Sequence, residues 1–264
     1  MKTDLLSEAR SVTDLVARTN IARQYVQREI LASLSSSEAF LSIAFVGGTC
    51  LRFLHDLKRY SEDLDFSLES GSSYAPERWM EAIRLALTHQ GFRVEVSWRP
   101  RKAVDTGWVK IPGLLHELKV APTEQQRLAI KIEIDTNPPA GARCETTALT
   151  VPSLIAVRHY DLSSLMAGKL GAVLSRPYAK GRDWYDLLWY LARRISPNQT
   201  MLDNALSQVP SPRCSRASRW REGVLERLQE VNWPALVEDV RPFLEIPSEL
   251  AAFTPQTLEG MLRK

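Results

Sequence analysis

The chain has 264 residues, 44% of them hydrophobic and 25% charged, and its 34 basic and 31 acidic side chains leave a net charge of +3. This composition predicts a globular protein of one or two domains, and its charge is too balanced to announce a nucleic-acid binder by itself, so it neither requires nor excludes an RNA partner. The N-terminal stretch MKTDLLSEARSVTDL is broken by charges, and no uncharged apolar run approaches the ~20 residues of a membrane span, so secretion and membrane insertion are not expected. Cys50, Cys144 and Cys214 are scattered, without paired spacing, which predicts a reducing, cytoplasmic setting.

Apolar residues recurring at near-helical period from Val12 to Ser35 predict one long amphipathic helix or two short ones. Phe40 to Val46 reads as a short buried strand that enters a tight turn at Gly47-Gly48, and Thr49 to Leu57 as a helix. Leu64 to Leu68 alternates with Asp63, Asp65 and Ser67, the period of a strand with one polar face. Trp79 to His89 is helical in pattern, and FRVEVSW after Gly91 is strand-like. Val109 to Val120 is ambiguous, with Pro112 and Gly113 inside it, whereas Leu128 to Asp135 alternates cleanly and puts Lys131, Glu133 and Asp135 on one face. After Pro152 strand alternation largely stops. Helical periods then fill Leu162 to Leu174, Arg182 to Arg194 and Trp220 to Val231, with Pro210 and Pro212 marking a break. The expected organisation is an α+β domain over residues 1–150 and a helical domain over 151–264.

Two glycines between a strand and a helix leave backbone N–H groups uncovered at a helix N-terminus, a setting that favours phosphate; alone, such a pair most often makes a tight turn. Asp63 and Asp65, two apart on a strand, project from one face and suit a shared hard cation. The strand ending in Glu133 and Asp135 offers another carboxylate. Three strand-borne carboxylates beside a helix N-terminus fit a two-metal phosphoryl-transfer site, in which an attacking hydroxyl is activated and pyrophosphate leaves. Local basic clusters, Arg93, Arg99, Arg101 and Lys102 and then Arg213, Arg216, Arg219 and Arg221, suit either an RNA end or plain solvated surface.

Three stretches, GGTCLR at Gly47 to Arg52, RYSEDLDF at Arg59 to Phe66 and KLGAVLSRPYAKGRDWYDL at Lys169 to Leu187, together resemble the AbiEii-type nucleotidyltransferase toxins. These form a branch of the DNA polymerase β-like nucleotidyltransferase superfamily. The resemblance covers roughly residues 40 to 195. It implies an α+β fold, a polymerase β-like core with a mixed sheet followed by a C-terminal helical domain. It implies that Gly47, Gly48 and Thr49 cradle the phosphates of a nucleoside triphosphate, that Ser61 supports the metal site, and that Asp63 and Asp65 ligate Mg²⁺. Lys169 would contact the triphosphate, with Arg182, Asp183 and Asp186 in the charged cluster of the last motif. Asp135 is the expected third carboxylate, with Glu133 as its rival in register. The implied function is Mg²⁺-dependent transfer of a nucleoside monophosphate from an NTP to an RNA acceptor, favoured as the 3′ end of tRNA, within a toxin–antitoxin pair. The alternatives are nucleotidylation of a protein hydroxyl and nucleotide or RNA binding without turnover.

Overall fold

The computed structural model describes residues 2–69, 71, 73–150, 153–209 and 216–264. The chain forms two compact units, one of Met1–Cys50, Glu62–Asn137 and Thr146–His159, the other of Leu51–Ser61, Pro138–Glu145 and Tyr160–Lys264. Val151 and Pro152 at the expected boundary, the break at Pro210 and Pro212, and also Arg213 and Cys214, lie outside the described residues.

The chain begins with α1 (Lys2–Ser11), α2 (Leu15–Ser36), β1 (Ile43–Val46), α3 (Gly47–His55) and β2 (Leu64–Leu68). It continues through α4 (Pro76–His89), β3 (Glu95–Arg99), β4 (Val104–Pro112), α5 (Leu114–Glu117), β5 (Arg127–Asp135), β6 (Cys144–Thr150) and β7 (Leu154–Tyr160). Among the described residues the strands make one seven-stranded mixed sheet in the order β3-β4-β5-β2-β1-β7-β6. The central pairs set the site: β1 runs antiparallel to β2, β2 parallel to β5, and β4 antiparallel to β5.

Helix α2 starts at Asp14, whose carboxylate accepts from the backbone N–H groups of Val16 and Ala17. Helix α4 starts on Pro76, a residue already fixed at helical φ. Both helices pack on one face of the sheet, with Val26 and Ile30 of α2 and Ile83 and Leu87 of α4 wholly buried. Leu64 and Phe66 of β2, Ile130, Ile132 and Ile134 of β5, and Val109 and Ile111 of β4 are among the buried strand residues. Strict alternation sends the intervening residues, Asp65 of β2, Lys131, Glu133 and Asp135 of β5, and Thr106, Trp108 and Lys110 of β4, to the other face.

Strand pairing does not end near Pro152, as the pattern of apolar residues suggested; β7 pairs parallel with β1 at Phe45 and His159. Its buried residues Ile155, Val157 and His159 alternate with exposed Leu154 and Ala156, so both faces carry apolar side chains and the period-two contrast vanishes from the sequence. No helix among the described residues is long and apolar enough to cross a membrane.

The second unit is helical beyond residue 160, with α6 (Leu162–Ser175), α7 (Gly181–Ala192), α8 (Gln199–Gln208), α9 (Trp220–Glu230), α10 (Trp233–Val240) and α11 (Pro255–Leu262). Asp161, Asn198, Asn232 and Thr254 cap the N-termini of α6, α8, α10 and α11 with their side chains. Helix α7 is buried along most of its length, and α10 crosses its first turn so closely that a Cβ on Gly181 would lie 2.0 Å from the Leu236 carbonyl oxygen.

Candidate active site

In the first unit the glycine turn and the aspartate strand are one structure. Val46, the last residue of β1, stands opposite Asp65 in register, so Gly47 emerges directly against that side chain. Gly47 has φ +78°, and a Cβ there would fall 2.3 Å from Asp65 Oδ2. Only a residue without a side chain lets the turn approach the carboxylate so closely. Two residues on, Thr49 is fully buried and its hydroxyl donates to the Asp63 carbonyl oxygen. From the side of α2, Gln27 Nε2 donates to the Glu62 carbonyl at 3.0 Å, and an Arg23 guanidinium nitrogen lies 3.2 Å from the Glu62 carboxylate. The segment that delivers Asp63 is thus held by α2 and by the first turn of α3.

The strand register arranges the carboxylates. Parallel pairing sets Asp65 beside Glu133 and Ser67 beside Asp135, and paired residues share a face. Adjacent strands are about 4.8 Å apart, and two residues along a strand cover roughly 6.6 Å. Glu133 is therefore the neighbour of Asp65, and Asp135 lies one step further from Asp63. Lys131 Nζ sits 2.6 Å from Glu133 Oε1. Asp135 is partly desolvated; burial raises its pKa, against the opposing pull of the Asn137 N–H, which donates to Oδ1 at 2.9 Å. Cys50 is wholly buried, and burial first and the Asp65 charge second push its thiol well above its ordinary value, which keeps it out of nucleophilic chemistry. Carboxylate oxygens are the donors a hard divalent cation takes, and Asp65 and Glu133 offer them from paired positions on adjacent strands.

The second unit carries a separate network of charges. The Arg59 guanidinium grips Asp186 with two hydrogen bonds of 2.6 Å, Nε to Oδ1 and Nη2 to Oδ2, and the two side chains are 2% and 0% exposed. Lys169 Nζ lies 2.8 Å from Asp183 Oδ1 and 2.9 Å from Asp186 Oδ2. Arg176 closes the cluster on the other oxygen of Asp183. Burial pulls the Lys169 ammonium toward neutrality, yet Asp183 and Asp186 outweigh it and raise its pKa. Burial likewise opposes ionisation of Asp183, and Lys169 and Arg176 overcome it to hold the carboxyl below its ordinary value. Asp183, Asp186 and Lys169, three residues of the last motif, therefore come together with the lysine held between two aspartates. Ser61 is buried, and the Arg182 guanidinium stacks 4.4 Å from the Phe243 ring centroid.

Three contributors received no role from the sequence. Arg59 opens the stretch RYSEDLDF and Arg176 lies within KLGAVLSRPYAKGRDWYDL. Two aspartates on one helical face beside a single lysine are the signal that further cations are required. Gln27 carried no signal, being one polar residue in an amphipathic helix.

The family model described as the nucleotidyl transferase AbiEii toxin of type IV toxin–antitoxin systems matches residues 29–254. The chain belongs to this family. An AbiEii chain is a nucleotidyltransferase and the toxin half of a toxin–antitoxin pair, so an antitoxin is its partner. Among solved structures it is similar to MenT4, a nucleotidyltransferase toxin from Mycobacterium tuberculosis H37Rv, with TM-score 0.57, 17% identity, and coverage of 100% of this chain and 90% of that one. It is also similar to JHP933 from Helicobacter pylori, with TM-score 0.54, 15% identity, and coverage of 92% and 90%. These two likenesses establish the AbiEii chain's fold. A search of curated proteins gives no match.

Proposed function

We propose that the enzyme transfers a nucleoside monophosphate from an NTP to the 3′ end of an RNA, favoured as tRNA, and releases pyrophosphate. The observation that carries this reading is the row formed by Gly47 backbone, Asp65 and Glu133, with Asp63 two residues before Asp65. Asp63, Asp65 and Glu133 would hold Mg²⁺. When bound, the metal neutralises phosphate charge and lowers the pKa of the attacking hydroxyl. The backbone N–H groups of Gly47, Gly48 and Thr49 would receive the phosphates; the Thr49 hydroxyl, engaged with the Asp63 carbonyl, is a positioning group. Register supports Glu133 over Asp135 as the third carboxylate. Lys169, Arg182, Asp183 and Asp186 remain proposed nucleotide-side residues on the strength of the family motif, and Ser61 a supporting one.

The four α-labelled NTPs, each incubated with total RNA, test the reading. Label is expected on RNA with wild-type enzyme and on nothing with Asp63→Ala, whose thermal unfolding should match wild type. Glu133→Gln should lose at least as much activity as Asp135→Asn. Label on protein alone would replace the RNA acceptor with a protein hydroxyl. Undiminished transfer by Asp63→Ala would remove the metal assignment.

A further inference from the structure

We propose that the open face of the sheet next to the carboxylates is a docking track for the single-stranded end of the RNA acceptor, with Trp108 as its base-stacking platform. This rests on the RNA reading above and names the surface that would serve it.

Strand register defines the track. One row across the sheet reads Arg99, Thr106, Glu133, Asp65, each paired with the next. The adjacent row reads Ser97, Trp108, Lys131, and because Leu64 pairs with Ile132, Lys131 stands beside Asp63. Paired residues share a face, so Trp108 stands on the carboxylate face, two strands or roughly 10 Å from Asp63.

Packing does not account for a tryptophan here. Trp98 of β3 points to the opposite, core-facing side, where a Cβ on Gly107 would lie 2.9 Å from its ring and 3.1 Å from Met80 Sδ. Trp108 is instead partly exposed, amid Ser97, Thr106 and Lys131, with Lys110 Nζ 5.9 Å from its ring centroid. An indole kept on a polar face between lysines is the composition of a stacking site for bases strung on phosphates. Charge complements it. Arg99, Arg101 and Lys102 are exposed at the edge strand and the turn after it; the Arg101 backbone N–H donates to Asp105 Oδ1 at 2.7 Å, and among the described residues none of the three side chains forms an ion pair with a carboxylate. Glu95, the acidic residue of β3, is engaged by Arg127 at 3.4 Å. Unpaired cations at an open sheet edge, leading inward past an aromatic ring to the carboxylates, fit a polyanion with exposed bases.

The test uses the full chain, total tRNA as acceptor and the preferred α-labelled NTP, with initial rates measured against each substrate in turn. Trp108→Ala should raise the KM for tRNA on the order of tenfold, Trp108→Phe should restore most of it, and the KM for NTP should not move. Arg99→Ala combined with Lys102→Ala, both exposed, should raise the tRNA KM and flatten its salt dependence; this arm stands even if Trp108→Ala folds poorly. An unchanged tRNA KM in both arms overturns the track while transfer to RNA stands. A rise confined to the NTP KM overturns it in favour of a seat for the nucleotide's own base. If wild-type enzyme labels protein and no RNA, the RNA reading falls and the track with it.

Discussion

Gly47 shows how much one missing side chain can decide. Its φ of +78° is left-handed, and the space a methyl group would take is already filled by Asp65 Oδ2. Left-handed backbone costs an L-residue about 1–2 kcal/mol, and the contact adds to it. Gly47→Ala is therefore expected to destabilise the chain by at least about 1 kcal/mol and to lower nucleotide transfer by displacing the Asp65 carboxylate, as measured by urea unfolding and by labelled-NTP assay on one preparation. At this scale the sequence was informative about Gly47, Asp63 and Asp65, because an alternating D-x-D after a glycine turn is a local pattern. It was not informative about Glu133 against Asp135, since both lie on the polar face of β5 and only the pairing of Asp65 with Glu133 separates them.

At the scale of elements, short polar bridges hold the working segments. The stretch around Arg59 is tied to α7 by the guanidinium–carboxylate fork, and Tyr60 N–H donates to the Phe243 carbonyl at 2.7 Å. Removing one partner of a buried ion pair leaves the other charged and unpaired, at a cost of about 3–5 kcal/mol. Arg59→Ala should lose stability of that order in denaturant unfolding. Arg59→Lys should recover only part of it, because an ammonium cannot reproduce the planar fork. Strands β2 and β5 were legible because one face is polar and the other apolar. Strand β7 was hidden by apolar residues on both faces, and the α5 turn following β4 was obscured by Pro112 and Gly113.

For the whole molecule, the charged cluster of buried Arg59, Asp183 and Asp186, nearly buried Lys169 and the more exposed Arg176 links stability to pH. The Asp183 carboxyl titrates below its ordinary 3.8 in the fold, so its stabilising contribution is complete above that value and is lost as pH falls through the depressed one. Urea unfolding of wild type and Asp183→Asn should differ clearly at pH 7, and the difference should shrink below about pH 3.8. A difference that stays constant with pH would mean that Asp183 contributes through packing alone. The sequence by itself determined the family, through the three motif stretches that carry it, and the alternating strands on which the candidate carboxylates lie. These are local patterns of period two and period 3.6, printed along the chain. Only the tertiary structure decided which carboxylate neighbours Asp65, that Lys169 is held by two aspartates, and that Trp108 shares a face with the carboxylates. Each of these depends on strand register or on packing between residues far apart in sequence, which no local pattern encodes.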